Sequence, residues 1–208
     1  MRLKNIKGAK EIVESSAYTI RNPKEYKGKF QTLFDNDNEI HIEIGSGRGS
    51  FIYNMALAYP DINFIAIEKY ESVIYNLINK LNNNSLTNLK LICTDANEID
   101  EIFDREISLI YLNFSDPWPK KKHAKRRLTS EIFLRKYDLI FKNRNIIIMK
   151  TDNQDLFEYS IKSFVDENYK INYISLDLHK TDVFNIETEY EKKFSSKGFR
   201  IYKIEVYK

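Results

Sequence analysis

Strand-like and helix-like apolar patterns alternate along the chain from Glu39 onward, and this alternation restricts the possible folds more than any other feature. The segment "EIHIEIG" places Ile40, Ile42 and Ile44 on one face, as in a β-strand, and "SFIYNMALAY" follows with helical spacing up to Pro60. Strand patterns recur in "NFIAIEK", "LKLICTDA", "ISLIYLNF" and "NIIIMKT", and helical patterns separate them. Such alternation predicts a parallel sheet with helices on both faces.

The end of the chain predicts an exception to this order. "KINYISLDL" and "FRIYKIEVYK" have strand patterns, and we interpret the segment between them, "HKTDVFNIETEYEKKFSSKG", as a loop. Without a helix between them, the last strand should pair antiparallel with its neighbour. We therefore predict a Rossmann-like α/β fold: a seven-stranded, mostly parallel sheet with an antiparallel last strand and helices on both faces. Residues 1–208 should form one domain, in which residues 1–38 are an N-terminal extension with no assigned role.

Composition excludes several classes of protein. Hydrophobic residues make up 42% of the 208 residues and charged residues 30%, as in an ordinary globular domain. Cys93 is the only cysteine, and the three histidines lack metal-ligand spacing, so we expect neither a disulfide nor a metal ion. The N-terminal residues lack the apolar stretch of a secretory signal, and no run approaches the roughly 18 apolar residues that span a bilayer. We expect a cytoplasmic protein that does not bind membranes.

A glycine-rich turn, "EIGSGRG", joins the first predicted strand to its helix. Gly45, Gly47 and Gly49 allow the backbone to approach a ligand closely, and the following helix offers unpaired N–H groups. The dinucleotide fingerprint requires G-x-G-x-x-G, whereas Ser50 stands where its third glycine would be. A tight turn without any ligand is the alternative interpretation of this motif alone.

Four successive predicted strands end in or beside a carboxylate: Glu43, Glu68, Asp95 and Asp116. Ligands of open α/β sheets bind at the carboxyl ends of the strands. Glu68 follows Glu43 at about the spacing at which an acid binds ribose hydroxyls, Asp95 could accept from an adenine amino group, and Glu43 could hold an ammonium group. Ammonium, ribose and adenine without phosphate occur together in S-adenosylmethionine. Each acid taken alone could instead be only a polar strand terminus.

The segment "NFSDPWPKKKHAKRR" combines a restrained aspartate with a basic cluster. Pro117 and Pro119 restrict the backbone beside Asp116 and Trp118. Trp118 could stack on a base, although we favour its role as an anchor of the loop. Six basic residues follow within one octet, while the rest of the chain carries a net negative charge, which predicts a site for a polyanion. A solvated charged face is the alternative. The six are Lys120, Lys121, Lys122, Lys125, Arg126 and Arg127.

Together, these motifs resemble the bacterial tRNA (guanine-N7-)-methyltransferase (TrmB) family. The resemblance runs from about Lys27 to the C-terminus and rests on "HIEIGSGRGSFI", "FIAIEKY", "TDA", "YLNFSDPWPKKKHAKRRL", "MKTDNQDLFEYS" and "TEYEKKF". The first motif occurs throughout class I methyltransferases, whereas the aspartate-proline and "TEYE" motifs are specific to this family. The residues before Lys27 look divergent, and nothing is carried over to them.

The resemblance implies an enzyme that transfers a methyl group from S-adenosylmethionine to N7 of the variable-loop guanine at tRNA position 46. The products would be 7-methylguanosine and S-adenosyl-L-homocysteine. The partner would be tRNA rather than DNA, and the protein would be a monomer or a homodimer. The implied cofactor-binding residues are Glu43, Gly45, Gly47, Gly49, Glu68, Asp95 and Asp116, and Asp116 would also be catalytic. The implied substrate-binding residues are Lys120, Lys122, His123, Lys125, Arg126, Arg127, Asp152, Thr188, Glu189, Tyr190 and Glu191.

Guanine chemistry suggests a role for Asp116. N7 carries a lone pair and no proton, so the protein must position the base and stabilise the cationic ring that forms. Asp116 could accept hydrogen bonds from N1–H and N2–H and lie close to that charge. Asp152, after the fifth strand, could contact the nucleotide or cap the next helix.

Two other functions remain open at this point. An NAD-dependent oxidoreductase would use a similar sheet, but Ser50 and the antiparallel last strand argue against it. An RNA-binding module without catalysis would keep the basic segment and transfer no methyl group.

Overall fold

The computed structural model describes residues 6–208 and contains one seven-stranded sheet. The strand order is β3-β2-β1-β4-β5-β7-β6. All neighbouring pairs are parallel except those of β7, which is antiparallel to both β5 and β6. The strands are β1 (Ile40–Ile44), β2 (Asn63–Glu68), β3 (Leu89–Cys93), β4 (Ile107–Asn113), β5 (Ile146–Thr151), β6 (Lys170–Ser175) and β7 (Tyr202–Tyr207).

The α-helices between β1 and β6 fall in the predicted order, and short 3₁₀ helices occur in several loops. In the described part of the chain, no helix has both the length and the apolar character needed to cross a membrane. The α-helices are α1 (Ala9–Ser15), α2 (Ser50–Ala58), α3 (Glu71–Asn83), α4 (Ile99–Ile102), α5 (Glu131–Ile140), α6 (Gln154–Asp166) and α7 (Glu189–Ser195). The 3₁₀ helices span Pro23–Tyr26, Phe30–Leu33, Ala96–Glu98, Lys121–Arg126 and Leu178–Lys180.

Successive side chains of each strand point to opposite faces of the sheet, so the core is divided into two layers, one on each face. Ile42 of β1 and Ile147 of β5 belong to the layer that includes residues of α4, α5 and α6. Phe64 of β2 and Tyr111 of β4 belong to the other layer, with residues of α1, α2 and α3. Both faces are therefore covered, and the predicted α/β fold with helices on both sides is confirmed.

The predicted antiparallel last strand is also confirmed, but its expected cause is wrong. The segment after β6 was predicted to be a loop, whereas it contains α7. β7 inserts between β5 and β6 and runs antiparallel to both, with α7 in the connection that leads to it. A capping box begins α7, since Thr188 accepts a hydrogen bond from the Glu191 amide, and Glu191 accepts one from the Thr188 amide.

Residues before β1 pack against the sheet. Phe30 and Phe34 are buried in one core layer, and the Phe30 ring lies 4.4 Å from that of Phe103. The Ile20 amide donates to the Leu91 carbonyl, and the Leu91 amide donates to the Tyr18 carbonyl. These bonds satisfy part of the open edge of β3, which would otherwise offer unpaired backbone groups.

Replacing Phe30 should therefore destabilise the whole domain. We expect Phe30→Ala to lower the free energy of unfolding by about 3–5 kcal/mol, because a fully buried ring leaves a cavity. Ile12→Ala is the control in the same segment: Ile12 is 38% exposed, and its loss should cost no more than about 0.5 kcal/mol. Urea unfolding measures both. If both variants lost similarly small amounts of unfolding free energy, the residues before β1 would not stabilise the domain.

Candidate active site

The sheet order reverses between β1 and β4, because the chain builds β2 and β3 on one side of β1 and continues with β4 and β5 on the other. A crevice at the carboxyl ends of the strands is expected at such a switch point. Glu43 lies near the end of β1 and Asn113 ends β4. The Asn113 side-chain amide donates to Glu43 Oε1 at 2.8 Å across this junction.

Glu43 is a buried carboxylate with one oxygen that has no hydrogen-bond partner within residues 6–208. Oε1 is bound by Asn113, whereas Oε2 is buried without a partner among the described residues. Burial raises the pKa of Glu43 to about 8, although the Asn113 hydrogen bond and the charge of Lys150 oppose this rise. A carboxylate oxygen in this state can bind a cationic group strongly, because such a partner offsets the cost of burying the charge.

Glu68, at the end of β2, fixes the glycine-rich turn. Its Oε2 accepts from the Gly47 amide at 3.0 Å, and its Oε1 accepts from the amides of Lys69 and Tyr70. Burial raises the pKa of Glu68 even so. The residue predicted to bind ribose hydroxyls thus also holds the turn in place.

Two glycines of the glycine-rich turn have different surroundings. Gly47 has a left-handed backbone with φ of 58°, and no atom lies within 4 Å of the place where a Cβ would be. A Cβ on Gly49 would lie 2.6 Å from Leu77 Cδ2 of α3. Gly49 is therefore required for the packing of α3 against the turn, and its predicted contact with a ligand stays a prediction.

Asp95 follows β3 and is held by its neighbours. Lys69 Nζ lies 2.7 Å from Asp95 Oδ2, and the backbone and side-chain amides of Asn97 donate to Oδ1. The hydrogen bond from Lys69 is the main cause of the lowered pKa of Asp95. Its carboxylate stays charged and caps the 3₁₀ helix that follows.

Asp116 is exposed in the loop after β4, on the same edge as Glu68. Its negative charge contributes to the raised pKa of Glu68, so the two carboxylates are close enough to repel each other. Phe114 and Trp118, on either side of Asp116, have positive φ values of 52° and 42°. Non-glycine residues adopt this conformation only where surrounding contacts enforce it.

Arg127 supplies those contacts for the loop. It donates from Nε to the Pro117 carbonyl at 2.9 Å and from Nη2 to the Trp118 carbonyl at 3.2 Å. Its guanidinium also lies 4.2 Å from the centre of the Tyr159 ring. Arg127 was predicted to contact RNA, and here it braces the loop that carries Asp116.

The other basic residues of this segment remain exposed or half-exposed in the 3₁₀ helix Lys121–Arg126 or just before it. The Arg126 guanidinium lies 4.9 Å from the Trp118 ring centre, and the His123 ring packs edge-on against the same ring at 5.7 Å. Trp118 is therefore the packing centre of the segment, in agreement with the favoured anchor interpretation. Lys120, Lys122 and Lys125 are exposed.

A buried charge network, which sequence reasoning missed, joins β5 to α7. Lys150 Nζ donates to Glu191 Oε2 at 2.6 Å, to Asn185 Oδ1 at 3.0 Å and to the Ile186 carbonyl at 2.9 Å. Glu191 is completely buried, and its Oε1 also lies 3.1 Å from His179 Nε2. Burial lowers the pKa of Lys150, although Glu191 and Glu43 oppose this shift. Glu191 ties α7 to the sheet, and its predicted contact with substrate stays a prediction.

The remaining residues of the "TEYE" motif lie around the carboxyl edge. Tyr190 donates to Asp152 Oδ2 at 3.0 Å, and its ring lies 5.0 Å from that of Phe114. Glu189 pairs with Lys80 at 3.3 Å and with Arg48 of the glycine-rich turn at 3.7 Å. Asn153, rather than Asp152, is the N-cap of α6, so the Asp152 carboxylate is not used as a cap.

Other parts of the chain offer weaker candidates. A cavity of about 340 Å³ lies between residues 17–33 and Lys90, outside the switch point and apart from the acidic strand ends. Within residues 6–208, no group of three or more histidine, cysteine or acidic side chains is arranged to hold a metal ion. The carboxyl edge therefore remains the candidate active site.

Comparisons with known proteins identify a family of similar sequences. The Methyltransf_4 model, which describes a methyltransferase family, matches residues 37–204. A tRNA (guanine-N(7)-)-methyltransferase of Bacillus cytotoxicus is 54% identical over 196 residues, which is 93% of this chain and 90% of that protein. A protein of the same name from Listeria monocytogenes serotype 4b is 49% identical over 208 residues, covering 99% of this chain and 97% of the relative.

Solved structures show the same fold at low sequence identity. An antibiotic-related methyltransferase is 15% identical and superimposes with a TM-score of 0.66, covering 87% of this chain and 94% of its own. A SAM-dependent methyltransferase from Aquifex aeolicus is 12% identical with a TM-score of 0.57, and covers 98% of both chains. These similarities place the fold among class I methyltransferases.

Breaking the Lys150–Glu191 pair should destabilise the protein strongly. We expect Lys150→Met to lower the free energy of unfolding by about 3–5 kcal/mol, because Glu191 would remain buried and charged without its partner. Adding Glu191→Gln should recover part of this loss, since the amide can still occupy the site without a charge. Lys162→Met, in an exposed pair with Asp166, should cost less than about 1 kcal/mol. Additive effects of the two buried substitutions in urea unfolding would contradict the pairing.

Glu43 should make stability depend on pH. Its folded-state pKa of about 8 lies above the ordinary value of 4.5, so the folded state retains a proton that the unfolded state releases. The stabilisation is complete below about pH 4.5 and is lost as the pH rises toward 8, by at most about 1.4 kcal/mol per pH unit. Glu43→Gln can keep the bond from Asn113 and should remove this dependence. If the free energies of unfolding of the wild type and Glu43→Gln differed by a constant amount from pH 5 to 8, the pH dependence assigned to Glu43 would be contradicted.

Proposed function

The chain belongs to the family of tRNA (guanine-N(7)-)-methyltransferases, and from this premise we propose that its carboxyl edge brings S-adenosylmethionine and a tRNA guanine together around Asp116. The reaction is methyl transfer to guanine N7, with S-adenosylmethionine as donor. The observation that carries the assignment of the site is the position of Glu43 and Asp116 at one switch point, the former buried and the latter exposed. The target within tRNA is proposed to be the variable-loop guanine at position 46.

The chain's own residues fit a cationic adenosyl ligand. Glu43 Oε2 is buried without a partner among the described residues, which suits the ammonium group. Glu68 and Asp95 place carboxylates at the ends of the next two strands, for ribose hydroxyls and the adenine amino group. When bound, S-adenosylmethionine supplies a methyl group made electrophilic by its sulfonium. The glycine-rich turn holds the ligand through its backbone, and the acids favour its positive charge over a phosphate.

Asp116 is proposed to orient the guanine. Its carboxylate accepts from guanine N1–H and N2–H, so the base edge is fixed while N7 faces the methyl group. Because N7 has no proton to lose, no base is needed, and Asp116 acts by position and by negative charge near the ring that becomes cationic. Asp152 lies at the end of the adjacent β5, where it and Tyr190 can contact the same nucleoside. Thr188 and Glu191 contribute by holding α7, and Glu189 by its contacts with the glycine-rich turn.

The basic segment is proposed to hold the tRNA backbone. Lys120, Lys122, His123, Lys125 and Arg126 surround the loop of Asp116, so phosphate contacts there would deliver the target base to the carboxylate. Arg127 supports this indirectly through its bonds to the loop carbonyls. We propose that one domain carries the whole reaction, in the cytoplasm where tRNA is found, as a monomer or a homodimer.

Methyl transfer from labelled S-adenosylmethionine to bulk tRNA, followed by mapping of 7-methylguanosine, tests the proposal. We expect label at the variable-loop guanine. Asp116→Ala should reduce turnover by at least about 100-fold while tRNA affinity stays within a few-fold, because the exposed carboxylate orients the base and contributes little to RNA binding. Asp61→Ala, another exposed aspartate before β2, should leave turnover unchanged.

Two results would contradict the proposal. Tight tRNA binding without any transfer of label would favour the RNA-binding module over the enzyme. Near-normal turnover of Asp116→Ala would remove Asp116 from its role, while leaving the methyl-transfer assignment intact.

A further inference from the structure

An aromatic and basic surface extends from the candidate site along α7 and the turn after it. We call it the α7 surface and define it by Tyr190, Lys193, Phe194, Lys197 and Phe199. The Tyr190 and Phe194 rings stack at 4.1 Å with an interplanar angle of 17°, and Phe199 packs edge-on against Phe194 at 5.4 Å. Tyr190 and Phe199 are 42% and 53% exposed. Aromatic rings thus form a continuous and partly open series.

Two lysines share one ring of this series. Lys193 Nζ and Lys197 Nζ lie 5.9 Å and 5.7 Å from the centre of Phe194. Within residues 6–208, neither forms an ion pair with an acidic side chain. Two like charges near the same ring repel each other, and this repulsion opposes their attraction to the ring.

Local folding requirements explain only part of the surface. Lys193 is in the last turn of α7, where a positive charge stabilises the helix dipole. Lys197 lies beyond the helix, and the exposure of Phe199 has no benefit for folding. A polyanion with flat bases would offset the repulsion of the lysines and cover the rings, because phosphates bind ammonium groups and bases stack on aromatic side chains.

The surface begins at the candidate site itself. Tyr190 donates to Asp152 at the end of β5, and the Tyr190 ring lies against Phe114, two residues before Asp116. A nucleic acid strand that placed one nucleoside at Asp116 would therefore pass near Phe194 with its neighbouring nucleotides. The basic segment Lys120–Arg127 follows Asp116 on the other side of the loop.

We propose that the α7 surface is a second RNA-binding surface, on which a nucleotide beside the target guanine stacks and its phosphates pair with Lys193 and Lys197. The proposal rests on the proposed function. It assigns the basic segment and the α7 surface to different stretches of the same tRNA. The two surfaces would hold the strand on both sides of the target nucleoside, which opposes its release from Asp116.

Two double variants, each of which replaces two lysines by alanine, test this surface with a tRNA transcript as the probe. Lys193→Ala/Lys197→Ala should weaken tRNA binding roughly tenfold near 0.1 M salt, and the slope of log affinity against log salt should fall by about 2. Lys142→Ala/Lys170→Ala is the matched control, since these exposed lysines lie before β5 and at the start of β6, at the opposite edge of the sheet. Its affinity should stay within about twofold of the wild type, because charges beyond the Debye length are screened.

A second pair of variants tests stacking. Phe199→Leu removes the ring and should weaken binding roughly tenfold, whereas Phe199→Tyr keeps it and should bind as the wild type does. Turnover at saturating tRNA should change little in the Lys142→Ala/Lys170→Ala control, and thermal unfolding shows whether all four proteins are folded.

Three outcomes overturn the proposal. The lysine double variant could have the same affinity and salt slope as its control, or the leucine and tyrosine variants could bind equally well. The double variant could also change the oligomeric state in sedimentation, which would assign the surface to a second copy of the chain. In each case, continued methyl transfer to tRNA by the wild type would leave the proposed function intact. Failure of the α7-surface proposal is therefore distinguishable from failure of the proposed function.

Discussion

The buried ion pair between Lys150 and Glu191 is the interaction on which the geometry of the site depends. Lys150 belongs to the central sheet, and Glu191 belongs to a helix of seven residues that has few buried side chains of its own. A helix this short is unstable in isolation. Removing two charges from water is costly, and the Lys150 ammonium recovers that cost only because it also donates to Asn185 and the Ile186 carbonyl. The pair therefore specifies one position for α7, and through it the positions of Tyr190 and Glu189.

The same network connects the two halves of the crevice. Lys150 and Glu43 point to the same face of the sheet, and the charge of each influences the pKa of the other. Asn113 bridges from β4 to Glu43. A change in the charge of Lys150 would therefore shift the pKa of the carboxylate proposed to hold the cofactor ammonium. The side chains proposed to bind the ligand would therefore also affect stability.

The sequence was sufficient for most of the fold but for less of the site. Alternating apolar patterns located all seven strands, because a buried strand such as "NIIIMKT" has an apolar run that local sequence shows directly. Helix α7 was missed because only Glu191 of its residues is fully buried, and a charged residue gives no apolar period. Its capping box, Thr188 followed three residues later by Glu191, was visible and could have located its start. The burial of Lys150 could not be foreseen, since a lysine at the end of a strand is usually exposed and its partner lies 41 residues further along the chain.

Transfer of a methyl group to N7 sets an electrostatic requirement that the acidic edge meets. A positive charge is present on the sulfonium before the reaction and on the methylated guanine after it, so the crevice contains one cation throughout. In the proposed arrangement, Glu43, Glu68 and Asp95 would lie on the side of the first charge, and Asp116 would lie on the side of the second. Uniform stabilisation of both states would not accelerate the reaction, because only interactions that strengthen in the transition state lower the barrier. The rate must therefore depend on how firmly the loop holds Asp116 at the place where charge appears. The restraint by Pro117, Pro119 and the two bonds from Arg127 provides that rigidity in advance.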